Sequence, residues 1–334
     1  MFFVFRSCGS DWFAKLNFAG AARIKRVHYS LDNQILHGSP RTSMFLREFS
    51  KSIQNSVKSL IIEQSDHCII SFAAICLFFK HLEPSLSCIS SLELDFKGCT
   101  STVFEHPVLT PDLTYLENFS LTTKCILITE NFLRIQSSRL RKVTFNFDWN
   151  NQMRNRNAEQ CIVDFFESHS MTIESITVSI KYHESRIIWL PSDLRSLSFP
   201  KCQTLNFKGV NIWFSPIITL VNFFLISESI QNVTLDSEIM LYVLKRGQIC
   251  NARTLKVTNY NENEDPQPIL DLKMLVSKFP SWQTLYLQKF DLRNCIELQN
   301  PTGVIRLEGV INMNHQKLNE LLMVAKTTDI RFSG

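Results

Sequence analysis

Apolar and polar positions along this chain follow one recurring pattern: an apolar residue, two polar ones, an apolar residue, one polar residue and a further apolar residue. It reads Val57-Lys-Ser-Leu60-Ile-Ile62, with an apolar residue in the last polar slot, then Ile89-Ser-Ser-Leu92-Glu-Leu94 and Leu116-Glu-Asn-Phe119-Ser-Leu121. Leu140-Arg-Lys-Val143-Thr-Phe145, Ile173-Glu-Ser-Ile176-Thr-Val178 and Leu194-Arg-Ser-Leu197-Ser-Phe199 follow. The series continues with Ile230-Gln-Asn-Val233-Thr-Leu235, Ala252-Arg-Thr-Leu255-Lys-Val257 and Trp282-Gln-Thr-Leu285-Tyr-Leu287. Weaker copies stand at Cys202-Leu205-Phe207, Val304-Ile305-Arg-Leu307 and Ile330-Arg-Phe332. The last three positions of most copies alternate, as a strand with one buried face must. Setting aside the crowded copy at Leu205, the steps from Leu60 to Ile330 average about 27 residues and range between about 20 and 36. That is the period of a repeat built from one strand and one helix.

The intervals carry helix signals. Residues 157–168 open with Asn157-x-x-Gln160, similar to a capping box, and stack Ile162, Phe165 and Phe166 on one side. Asp236-Ser237 can cap a helix carrying Ile239, Met240, Val243 and Leu244, with Gly247 where a C-terminal glycine belongs. Pro268 precedes Ile269, Leu272, Leu275 and Val276, and Pro280 stops that helix. Asn314 begins a run with Leu318, Leu321, Leu322 and Val324, and residues 69–79 are apolar nearly all round, as an enclosed helix would be. Phe45, Phe49 and Ile53 lie at helical spacing within 42–56, and Arg23 to Tyr29 reads as a capping strand.

A single strand–helix unit cannot hide its own apolar face; stacked neighbours make one continuous core. A doubly wound sheet or an (α/β) barrel also alternates strand and helix. Those folds call for longer, fully apolar strands and no fixed six-residue motif, so the expected class is α/β in the form of a solenoid. Parallel strands would line its concave face and helices its convex face.

With these residues in view, residues 57 to 332 resemble the leucine-rich-repeat family, and the expected solenoid is a leucine-rich-repeat horseshoe of about 10–12 irregular repeats. The family asks for Asn or Cys eight positions after the first apolar residue. Among the clear copies only the one starting at Leu194 complies, with Cys202; elsewhere stand Lys97, Asp148, Lys181, Glu238 or Tyr260. Such degenerate repeats resemble those of intracellular F-box and leucine-rich-repeat proteins. The run Val4-Phe-Arg-Ser-Cys8-x3-Trp12-Phe-Ala-Lys-Leu16 is similar to the tail of an F-box, with a longer Cys–Trp gap and no leading Leu-Pro segment. The expected organisation is therefore an N-terminal cap over 1–56, the remnant of an F-box tail or a terminal helix, followed by the solenoid over 57–334. The resemblance implies a non-enzymatic protein-recognition module, the substrate-recognition component of a cullin-RING ubiquitin ligase. A Skp-type adaptor and cullin would dock through its N-terminus. A scaffold or regulator with no ligase partners is the alternative, and a hydrolase with an unrecognised site a third.

Composition narrows these readings. With 45% hydrophobic and 20% charged residues, the chain is not a disordered one. Nine glycines among 334 residues argue against glycine-built phosphate loops, and a formal charge of +4 is too mild to imply nucleic acid or an anionic membrane as partner. Ten cysteines without a CxxC read as buried thiols in a reducing compartment, so the expected location is cytoplasmic or nuclear. The N-terminal Met1-Phe2-Phe3-Val4-Phe5-Arg6 lacks a basic n-region and is not a signal peptide, which leaves the sequons at Asn118 and Asn232 without secretory context. The uncharged stretch 210–227 contains Asn211, Pro216 and Asn222, and Ser215-Pro216 looks like a helix start, so a short buried helix is expected there and not a membrane span.

Catalytic chemistry finds little support. No HExxH, GxSxG, GxGxxG or GxxxxGK[ST] occurs, and His67 beside Cys68 reads as a helix start. Asp164 and Glu167 share a helix side as a solvated face. No metal or cofactor is expected. Arg139, Arg141, Lys142, Arg154 and Arg156 cluster near an Asn-rich loop, and residues 261–266 form an acidic one; both read as exposed turns, with opposite-signed protein contacts as the rival. The positions that bear on function are the polar slots between the last two apolar residues of each copy, which in a solenoid face a partner. They hold Glu93, Ser120, Thr144, Thr177, Ser198, Thr234, Lys256, Tyr286 and Arg306. Lys256, Tyr286 and Arg306, continued by Thr234, Thr177 and Thr144, are the candidate concave-face contacts for a protein ligand. An aromatic flanked by two cations suits an acidic or aromatic peptide segment.

Overall fold

A computed structural model describes residues 2–5, 23–32, 40–65, 70–97, 99–100, 112–149, 156–182, 198–210, 227–246, 249–258, 272–288, 304–308 and 328–331, together with Val221, Leu225 and Asn319. The fold is α/β with parallel strands. It divides into two compact units, Met1–Thr172 with Ile180–Glu184, and Ile173–Ser179 with Ser185–Gly334.

The first unit contains strands β1 (Phe2–Phe5), β2 (Arg26–Leu31), β3 (Ser59–Gln64), β5 (Ser91–Phe96), β7 (Asn118–Thr123) and β8 (Lys142–Trp149), which lie side by side in that order. A separate small pair joins β4 (Ile70–Ser71) to β6 (Cys99–Thr100). Helices α1 (Pro40–Ile53), α2 (Phe72–Leu86), α3 (Ile126–Phe132) and α4 (Arg156–His169) connect them. In the second unit β9 (Ser175–Tyr182, of which Ser175–Ser179 belong here), β10 (Thr204–Val210), β11 (Asn232–Asp236), β12 (Thr254–Thr258), β13 (Thr284–Gln288), β14 (Val304–Glu308) and β15 (Thr328–Arg331) are likewise successive neighbours. Helices α5 (Ser237–Arg246) and α6 (Leu272–Lys278) belong to it.

The recurring motif explains this order. Its first, fourth and sixth residues are buried in copy after copy: Val57, Leu60 and Ile62; Leu116, Phe119 and Leu121; Ile230, Val233 and Leu235. Register aligns them, with Leu60 opposite Leu92 and Leu92 opposite Phe119. The second residue plays a backbone role. The Lys58 carbonyl accepts the N–H groups of both Ser90 and Ser91, the Ser90 carbonyl those of Glu117 and Asn118, and the Glu117 carbonyl those of Arg141 and Lys142. The same double acceptance recurs at Gln203, Gln231 and Arg253 in the second unit.

Helices cover the apolar side of the first unit's strands. Tyr29 meets Phe78 of α2 edge-on at 5.3 Å, Phe96 stacks on Phe132 of α3 at 6.2 Å, and Phe145 packs against Phe165 and Phe166 of α4 at 5.1 and 5.8 Å. Each buried ring contributes about 1.5–3 kcal/mol by leaving water, so phenylalanine does here what leucine would do in a more regular repeat. Between α1 and α2, buried Ser50 Oγ lies 3.0 Å from both the Leu82 carbonyl and Ser85 Oγ and accepts the Ser85 N–H at 3.2 Å. In the second unit Asp236 ends β11 and its Oδ1 accepts the Ile239 N–H at 2.8 Å, so the strand passes directly into a capped α5.

Several expectations are corrected. Val4 belongs to strand β1, paired with β2, where a helix was expected; Cys8, Trp12 and Leu16, which carry the rest of the F-box-like run, lie outside the described residues. β2 is no edge cap: it pairs with both β1 and β3, and Ile24, Val27 and Tyr29 are buried in a further copy of the motif. The copy at Leu194 gives way to its crowded neighbour. The strand is β10, built on Cys202, Leu205 and Phe207, while Phe199 sits in the turn before it, its carbonyl accepting the Cys202 N–H at 3.1 Å. Leu194 and Leu197 lie outside the described residues. Helix α2 starts at Phe72, capped by Ser71, and exposes 48% of Leu77, so one side of it faces solvent. Of the uncharged stretch 210–227, Val221 and Leu225 are helical and buried. Among the described residues no helix is long and apolar enough to cross a membrane. Gly247, Pro268, Ile269, Asn314, the acidic loop 261–266, His67 and Cys68 lie outside the described residues.

Candidate functional site

The fifth motif residue alternates away from the helices, so register alone decides which of these side chains are neighbours. In the second unit Asn206 stands opposite Thr234, Thr234 opposite Lys256, Lys256 opposite Tyr286, Tyr286 opposite Arg306, and Arg306 opposite Asp329. Adjacent strands are about 4.8 Å apart, so four of the candidate contacts form one unbroken row. The Arg306 guanidinium lies over the Tyr286 ring, 5.2 Å from its centroid, a cation–π arrangement that holds both groups in one plane of approach. Thr177 continues this row: Gln203 and Thr204 both bond the Glu174 carbonyl, the same pattern that elsewhere accompanies alignment of the motif slots, which puts Thr177 opposite Asn206. Thr144 belongs to the first unit, in the row Val4, His28, Ile61, Glu93, Ser120 and Thr144. Ser198 precedes β10 and is exposed outside any strand.

Four residues of these rows, Val4, His28, Asn206 and Asp329, escaped the sequence reading. Asn206 holds the slot expected for Ser198, and its Oδ1 is enclosed without a hydrogen-bond partner among the described residues. Asp329 stands opposite Arg306 in register, while Tyr286 stands between Lys256 and Arg306. His28 pairs with Glu63 at 3.1 Å on the first unit's polar side. His28 sits in the fifth slot of the copy starting at Ile24, and that copy was its sequence signal.

The remaining chemistry is quiet. Burial pushes the Cys202 thiol up to about 12 and the Cys250 thiol up to about 11, and it raises those of Cys76 and Cys161, so none of these is a thiolate nucleophile at neutral pH. Cys125 is disulfide-bonded, which corrects the all-thiol expectation and weakens its reducing-compartment premise; Cys76, Cys88, Cys161, Cys202 and Cys250 are free. Asp164 and Glu167 are both exposed, Asp164 accepting from Gln160 Nε2 at 2.7 Å. Arg139, Arg141 and Lys142 are exposed, with Arg139 over the Tyr115 ring at 4.7 Å; Arg154 and the Arg156 side chain lie outside the described residues. Among the described residues no group of three or more His, Cys, Asp or Glu could hold a metal ion. No family model matches the chain, and no curated protein matches it.

Proposed function

We propose that this protein is a non-enzymatic recognition module of the leucine-rich-repeat type, an α/β horseshoe that binds another protein on its polar strand face. The observation that carries the reading is the unbroken register row Thr234, Lys256, Tyr286 and Arg306, formed by one motif slot on successive parallel strands. Support also comes from the repeated double-acceptor carbonyl at the second motif position, which makes each strand start equivalent to the last. A rigid aromatic held under a guanidinium is the kind of group that dominates protein interfaces. Replacing Tyr286 and Arg306 together by alanine should leave the thermal midpoint nearly unaltered and weaken capture of the cellular partner at least about 30-fold, the size of a hot-spot loss of about 2 kcal/mol. Undiminished capture would remove this row from the interface.

Within that reading, a substrate-recognition role in a cullin-RING ubiquitin ligase rests on the N-terminal resemblance. The pairing of Phe2–Phe5 with β2 favours the second reading, a leucine-rich-repeat scaffold or regulator with no ligase role. Affinity capture with the native N-terminus intact separates them: a Skp-type adaptor and cullin in the eluate point to the ligase, their absence to the scaffold.

A further inference from the structure

The polar row is not the only place where register gathers side chains. Just before β11, β12 and β13 the second motif residues are Gln231, Arg253 and Gln283, all exposed, and they line one cleft of about 400 Å³ within the second unit. Parallel neighbours about 4.8 Å apart put the Arg253 stem between two amide side chains. Glu228 and Asn251 line the same cleft. The backbone at the cleft is already engaged: the Gln231 carbonyl accepts from Arg253 and Thr254, and the Arg253 carbonyl from Gln283 and Thr284. Recognition here therefore falls to side chains.

Among the described residues neither the Arg253 guanidinium nor the Glu228 carboxylate has a hydrogen-bond or ion-pair partner, although both line this one cleft. Opposite charges that share a cleft without meeting leave room for a ligand that carries both signs. A guanidinium fork is matched to a carboxylate, which it binds through two parallel N–H···O bonds. Flanking amides supply the donor and acceptor that a peptide group needs. Glu228 then favours a cation nearby on the same ligand. Small-molecule sites are mostly apolar, whereas among the described residues Ile230 is the one apolar residue lining this cleft. A polar, exposed lining suits the end of a polypeptide chain.

We propose that this cleft binds the C-terminal carboxylate of a partner polypeptide, with Arg253 holding the carboxylate, Gln231 and Gln283 the last peptide group, and Glu228 a lysine or arginine side chain next to the terminus. The site is separate from the Lys256, Tyr286 and Arg306 row and does not rest on it. The test titrates the full chain, by fluorescence polarisation, into labelled peptides degenerate upstream. They carry lysine or glutamate at the penultimate position, and the C-terminus is either free or amidated. Free-acid lysine peptides bind, amidation weakens them about 10- to 100-fold as expected for loss of a charge-assisted fork, and Glu228→Gln narrows the preference for lysine over glutamate. Arg253→Gln abolishes the difference between free and amidated peptides, while Tyr286→Ala with Arg306→Ala leaves it intact. Equal binding of free and amidated peptides to the unaltered protein overturns the proposal, as does the absence of any free-acid binding. Free lysine that displaces the peptides at the peptides' own concentration also overturns it, by making the ligand a free amino acid and not a chain end.

Discussion

His169 ends helix α4 almost fully buried, with 2% of its surface exposed, and makes two hydrogen bonds that fix its chemical state. The Ser137 N–H donates to Nε2 at 3.2 Å, so the proton must sit on Nδ1, which donates to the Phe165 carbonyl at 2.8 Å. The imidazole also lies against the Phe165 ring, with centroids 4.5 Å apart. Replacing His169 by alanine leaves the buried Ser137 N–H without its acceptor, at about 1–3 kcal/mol, and opens a cavity against Phe165 costing roughly 2 kcal/mol more. The first unit should therefore lose about 3–5 kcal/mol, while His169→Gln, whose amide oxygen can still accept, should lose less. Burial holds the His169 pKa below its usual value. The folded state thus keeps the ring neutral at pH values where the unfolded chain, titrating near about 6.5, takes up a proton. The contribution of His169 is complete above that value. It falls as pH drops below it, by at most about 1.4 kcal/mol per pH unit until the folded ring itself protonates. Urea unfolding followed by tryptophan fluorescence, on the wild type and His169→Gln at about pH 7.5 and about pH 5.5, isolates this term from the carboxylates. A difference that does not change between the two pH values, or an alanine variant within about 0.5 kcal/mol of wild type, would refute the reasoning.

Asp236→Ala should cost about 1–2 kcal/mol through loss of the Ile239 cap, with Asp236→Asn recovering most of it; equilibrium unfolding of the two variants decides, and equal losses would argue against the cap. Ser50→Ala removes the acceptor of the Ser85 N–H between α1 and α2, and about 1–2 kcal/mol should follow in the same assay. Thiol alkylation of the denatured, unreduced protein should label Cys76, Cys88, Cys161, Cys202 and Cys250, whereas Cys125 should react only after reduction, as read by peptide mass mapping.

What could be read from the residues is what burial dictates. Leu60, Leu92, Phe119, Val143, Val233, Leu255 and Leu285 must all face a core, so their spacing announces parallel strands in sequence order. Two motif copies eight residues apart, at Leu194 and Cys202, compete for one strand, and hydrophobicity does not choose between them. The copy at Ile24 is masked by its neighbours Arg23, Lys25 and Arg26, charges that suggest an end although Ile24, Val27 and Tyr29 are buried. The row through Lys256, Tyr286 and Arg306 was legible because one slot repeats on successive strands. Asp329 was not, because the weak last copy begins its recognisable motif one residue later, at Ile330. The cleft at Arg253 depends on residues of two different loop positions converging, and spacing along the chain carries no sign of that.

One backbone device accounts for both the regularity of the fold and the irregularity of its side chains. At most of the described strand starts a single carbonyl, that of the second motif residue, accepts two N–H groups from the next strand. That fixes register through the main chain, whatever side chain the residue bears: lysine at 58, serine at 90, glutamate at 117, glutamine at 231 and arginine at 253. Core packing constrains the first, fourth and sixth positions, and the backbone satisfies the second. The second, third and fifth side chains are then free to diverge without cost to folding. In the recognition role proposed above, a partner would be read at those positions, and both the Tyr286–Arg306 pair and the Arg253 cleft are drawn from them.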